Sequence, residues 1–136
     1  MKVALGLKAH SGWAALVLLG EHEGTFQVLD RSRLELVVDN AAWAKQPYHA
    51  AVGLNPSEAR SLVKAGIGAA RRTALREMRQ VVRRASQLGV KVQGCGLLVG
   101  DPMPKWTVDE ILAVHFRMHK AEGVLFRDVL AQAARA

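Results

Sequence analysis

The chain is short of the residues that staple, stack or anchor a protein. One cysteine, Cys95, excludes an internal disulfide and suits a reducing compartment. Aromatic residues make up only 5% of the sequence, and Trp43, Tyr48 and Trp106 are the loop positions from which a base could be stacked. None of these three interleaves with the arginines along the chain. The longest apolar run near the N-terminus, Trp13 to Leu19, falls well short of the ~20 residues a bilayer span needs. Lys8 and His10 break up anything resembling a signal segment. Chemical signatures are missing too. No Walker loop follows a strand, and no GxSxG elbow surrounds a serine. No carboxylate sits on the first strand, which disfavours two-metal nuclease chemistry of the ribonuclease H type.

What is present describes a foldable, basic chain. Half of its 136 residues are hydrophobic and 23% are charged, which argues against disorder. A length near this value suits one domain, residues 1–136, and buries roughly two-thirds of the unfolded surface. The reading is a cytosolic protein. Its net charge of +7 is unevenly spread: Arg60, Lys64, Arg71, Arg72, Arg76, Arg79, Arg83 and Arg84 share one segment with only Glu58 and Glu77. Within it, Arg72, Arg76, Arg79 and Arg83 form a stripe at helical spacing. Such a stripe can follow a phosphate backbone, with RNA or DNA as the anionic partner, or can be a solvated face that aids solubility.

Periodicity predicts the elements. Lys2–Ala9 alternates as a strand, Trp13–Leu19 is a nearly all-apolar second strand, and Thr25–Val38 is either one bent strand or a hairpin. After an irregular stretch from Asp39, with a short helical turn at Tyr48–Ala51, Asn55 caps the longest helix. Pro56 follows as its first residue and Glu58 sits at the third position. The predicted buried face is Leu62, Val63, Ile67, Ala70, Ala74, Met78, Val81 and Leu88, with Glu77 near its middle, and Gly89 ends the helix. Val90–Val99 is a fourth strand. Thr107 and Glu110 form a capping box for a final helix that pauses at Gly123. A strand reached through a helix runs parallel to its neighbour by a right-handed crossover. The expectation is therefore an α/β (α+β) fold with two long helices and a mixed sheet. An antiparallel three-strand meander joins one parallel strand, in the order 3-2-1-4, as in half of a ribonuclease H-like (actin-like) fold. Ligands in such sheets gather beyond the carboxyl ends of the parallel strands, here near Lys8, His10, Ser11, Gly12, Gly100 and Asp101.

The segments GLKAHSGWAALVLL, KQPYHAAVG, the Arg-rich helix, GCGLLVG and HFRMHKAEGVLFRDVL span most of the length. In these the chain resembles a family of small bacterial proteins with no assigned reaction. The resemblance implies the ribonuclease H-like fold and no activity. The central domain of archaeal and eukaryotic release factors is similar only in the order of its elements, and no GGQ tripeptide is present to carry peptide release.

The least expected residues lie in LAVHFRMHKAEGVLF. On one continuous helix, His115, His119 and Glu122 share a face with Ile111, Leu112, Leu125, Phe126 and Val129. Histidines four apart on a helix can aim at one transition metal, with Glu122 one turn on as third ligand. The zincin pattern is absent because no glutamate follows His115. Alternatively, Glu122 or Glu77 could orient a histidine for acid–base chemistry, with His49 completing a pocket. The same groups could also simply satisfy one another between helices. Ser11 and Cys95 show no spacing that would activate them as nucleophiles. Trp13, Phe116 and Phe126 read as core. A local echo, His-x-Ala-x-Gly, recurs at His49–Gly53 and His119–Gly123. The leading reading is a small non-enzymatic binding or accessory domain whose basic helix faces an anionic partner such as RNA. The alternative is a hydrolase-like enzyme built on His115, His119 and Glu122, with or without metal. The apolar strands and the Gly/Ala-rich helix would also suit a homodimer.

Overall fold

Alternation along the first two strands decides which face of the sheet is covered. In the computed structural model, which describes residues 1–37, 42–98 and 100–136, β1 (Lys2–Ala9) and β2 (Trp13–His22) bury every second residue. Val3, Leu5, Leu7, Ala14, Leu16 and Leu18 point to one side. β3 (Thr25–Glu35) pairs antiparallel with β2 across a turn at Glu23 and Gly24, both with positive φ, as a tight two-residue hairpin requires. It is one bent strand: Leu18 pairs with Asp30 and Leu19 with Val28, so Leu29 forms a bulge. β4 (Val92–Leu97) runs parallel to β1, and the sheet order is β3-β2-β1-β4. The predicted ends at Val38 and Val99 fall outside the described residues.

Two short helices, α1 (Ala42–Lys45) and α2 (Pro47–Ala50), precede α3 (Pro56–Gln87). The Asn55 side chain accepts from the Glu58 N–H at the start of α3, and Gly89, at φ 80°, takes the left-handed position beyond its end. Residues Ala70, Ala74, Met78, Val81 and Ala85 of α3 pack on the covered sheet face. Leu88 does not join them. It lies past the last core contact and is 69% exposed.

The last helical segment is divided, and not where glycine would suggest. Thr107 and Glu110 form the full capping box of α4 (Val108–Leu112), but the chain becomes extended at Val114 and restarts as α5 (His115–Arg135). Gly123 lies within α5 without interrupting it. The break resets the helical phase, so one continuous face cannot run from Ile111 to Val129. Ile111 instead joins Tyr48, Ala51, Ala59, Val63, Met118 and Ala121 in a second apolar cluster at the helical end of the molecule. Phe126, Val129, Leu130 and Ala133 of α5 enter the sheet core. Phe116, expected in the core, is 73% exposed. Among the described residues no helix is long and apolar enough to cross a membrane.

Candidate metal centre

Within α5 the positions 115, 119, 122 and 126 follow helical spacing along one stripe, and that stripe descends from solvent into the core. His115 and His119 are exposed, Glu122 is buried at 6% exposure, and Phe126 is buried at 1%. The sequence expectation that both histidines point inward is therefore corrected: they stand at the rim, and only the carboxylate is enclosed. Facing them is His49 from α2. That helix is held against α3 because Gly66 has no side chain; a Cβ there would lie 2.6 Å from the Trp43 carbonyl oxygen and 2.8 Å from Pro47 Cβ. Glycine at this point lets α1 and α2 settle directly on α3.

Glu122 binds His49 twice. Its Oε1 lies 2.5 Å from His49 Nδ1, and its Oε2 accepts the His49 backbone N–H at 3.1 Å. Both carboxylate oxygens are thereby committed, and among the described residues no buried side-chain polar atom lacks a partner. A carboxylate at Nδ1 stabilises the N–H there and leaves Nε2 of a neutral imidazole with its lone pair free. The His49 ring lies 5.3 Å from that of His115 and 5.0 Å from that of His119, centroid to centroid. His115 Nε2 and His119 Nε2 face each other at 2.8 Å. One nitrogen from each of the three rings falls within 4.8 Å of the others. Tetrahedral zinc with Zn–N near 2.0–2.1 Å needs nitrogens about 3.3 Å apart, inside this spread. The third converging group is thus His49. Glu122, expected among the ligands, has both oxygens on His49.

The cluster has a buried phenol beside it. Tyr48 precedes His49, and burial, then the negative charge of Glu122, push its pKa above the ordinary value. It therefore remains a neutral hydroxyl through the physiological range. Val52, Leu54, Val114 and Phe116, each close in sequence to a histidine of the cluster, are apolar side chains 42–73% exposed.

Other expected residues lie elsewhere. Glu77 is on α3 about 20 Å along the axis from Val63, a residue of the apolar cluster that backs the histidines. Its carboxylate takes Arg76 at 3.3 Å at the edge of the buried face, so it does not join the histidine cluster. The carboxyl-end edge of the parallel strands does not hold the cluster: His10 is stacked on Trp13 at 4.1 Å, and Asp101 offers its backbone oxygen to Lys120 and Arg127. Cys95 is exposed on β4, yet partial burial of its thiol raises the pKa and disfavours the thiolate. Arg72, Arg76, Arg79 and Arg83 are all exposed along one side of the continuous helix α3, and they border different grooves along its length. Arg79 and Arg83 border a groove beside β4, whereas Arg72 lies in another with Trp43. No protein-family model, curated protein or solved structure matches this chain.

Proposed function

We propose that His49, His115 and His119 hold one divalent transition metal, zinc being the best fit to three imidazoles, and that the centre serves hydrolysis. The observation that carries this reading is the convergence of three imidazoles from two separate elements, with Glu122 fixing the ring of one. Carboxylate–histidine–metal relays of this kind are the usual support of ligating imidazoles. Three protein ligands at an exposed rim leave a coordination position open, as catalytic zinc sites do, whereas structural sites close all four. A metal so held lowers the pKa of a bound water toward about 7 and can polarise a carbonyl or phosphoryl oxygen. The chain's own contribution is positional: α5 sets His115 and His119 one turn apart, and Glu122 sets His49. Glu122 is accordingly a positioning residue. The strand order and senses further support reading the scaffold as a ribonuclease H-like half-fold, and the lone cysteine a cytosolic setting.

Zinc titrated calorimetrically into tag-free protein should bind at one ion per chain. His49→Ala and His119→Ala should each weaken binding at least tenfold, and the loaded protein should hydrolyse 4-nitrophenyl acetate faster than the His49→Ala variant with equal zinc. Absence of stoichiometric binding, or binding indifferent to His49→Ala, rejects the metal site. Binding without hydrolysis rejects the catalytic part alone.

A further inference from the structure

A groove of about 740 Å³ runs along the N-terminal half of α3 and is distinct in composition from the histidine cluster. Its walls bring Trp43 of α1 together with Arg60, Lys64, Arg71 and Arg72 of α3, and Ser61 adds a hydroxyl. No carboxylate lines it among the described residues. Among the described residues, Arg60 is the one of these cations with a carboxylate partner, Asp109 at 3.0 Å. The Arg72 guanidinium lies back over Gly68, where a Cβ would come within 3.3 Å of it, so it rests along the helix beside the groove. Trp43 is half-buried, with part of its surface in the groove. The aromatic that the linear sequence separates from the arginines is therefore placed among them by the docking of α1 at Gly66.

We infer that this groove binds single-stranded nucleic acid, with the Trp43 indole stacking one base and Lys64, Arg71 and Arg72 taking the adjacent phosphates. Each component has a reason. An indole offers a face to any base, so stacking is tolerant of sequence, and flexible cations beside it follow a backbone without reading it. A duplex hides its bases and could use only the cations. An acidic membrane surface likewise has no ring to stack. The prediction is thus for a binder of strands that prefers unpaired bases and has little sequence preference. The inference stands on Trp43 and the cations of α3 and does not require a metal at His49.

Fluorescence anisotropy with a labelled twelve-residue oligouridylate and the full chain tests it. With Lys64, Arg71 and Arg72 engaged, log Kd should depend on log salt with a slope of magnitude about 2, and replacing Arg71 and Arg72 by Gln should reduce that by about 1.4. Trp43→Ala should weaken binding by about 5- to 150-fold, and Trp43→Phe should restore most of it. Restoration by Phe distinguishes loss of stacking from loss of α1. Replacing Arg79 and Arg83 by Gln should leave the Trp43→Ala penalty intact. A duplex of equal length binding as tightly as the strand overturns the proposal. So does equal capture by phosphatidylserine vesicles, or a Trp43→Ala variant that binds like the parent.

Discussion

The two halves of α5 use the same spacing for opposite purposes. Phe126, Val129, Leu130 and Ala133 are buried against Val3, Leu5, Leu16 and Leu18, and nothing polar interrupts them. One turn earlier the stripe continues as Glu122, His119 and His115, and it rises out of the core as it goes. The apolar half fixes where the helix lies, and the polar half inherits that position. A carboxylate can be enclosed at Glu122 because His49 meets both of its oxygens; an isolated charge there would be costly to bury. The comparison teaches that the candidate centre is built at the margin of the core, where one partner is sealed and three remain reachable.

The comparison can be broken from its apolar side first. Phe126→Ala removes one of the largest fully buried side chains and should cost about 3–5 kcal/mol in urea unfolding. A loss below about 1 kcal/mol would mean the lower half of α5 does not anchor the helix. A smaller effect should come from Gly66→Ala. The added methyl meets the Trp43 carbonyl and Pro47 and should destabilise by about 1–3 kcal/mol. It should also weaken zinc binding, because α2 carries His49. Unchanged zinc affinity in a folded Gly66→Ala protein would show that His49 is held without this contact. Smallest is Thr107→Ala, which removes the capping box of α4 for about 1 kcal/mol and should leave zinc binding alone. That box also predicts a pH response. The Thr107 N–H and hydroxyl and, less strongly, Arg117 hold the Glu110 pKa below its usual value. A depressed carboxylate stabilises the fold at pH values above its unfolded pKa, and that contribution is lost as pH falls through the folded pKa. Glu110→Gln should therefore flatten the acid limb of the stability curve, and an unchanged limb would place the acid sensitivity elsewhere.

Local chemistry was legible in the sequence, and so was the route of the chain through the sheet. Asn55-Pro56, Thr107 with Glu110, and Gly89 each announce a helix end by a specific hydrogen bond or φ value, and all three act as read. The strand order follows because a helical crossover restricts how β4 can join β1. Less visible was anything set by tertiary contact. No proline or glycine marks the break at Val114, and Phe116, which reads as core, lies on the exposed side of α5. Glu77 sits near the apolar stripe of α3 by count, but its neighbour Arg76 draws the carboxylate to the edge. His49 was a pocket candidate only, although its His-x-Ala-x-Gly segment echoes the one at His119; that it, and not Glu122, points at the other imidazoles depends on a hydrogen bond across 73 residues. Trp43 was the hardest to foresee. Its place among the arginines depends on Gly66, a helical glycine that in the sequence allows either close packing or a kink and names no packing partner.

X-ray absorption at the zinc edge of the loaded protein examines the centre most directly. Three imidazole nitrogens at about 2.0 Å and one light oxygen are expected, with one imidazole lost in His49→Ala and all three kept in Glu122→Gln, at about 10- to 100-fold weaker affinity. A spectrum with two imidazoles and a carboxylate that disappears in Glu122→Gln would contradict the assignment of His49 as ligand and Glu122 as its support.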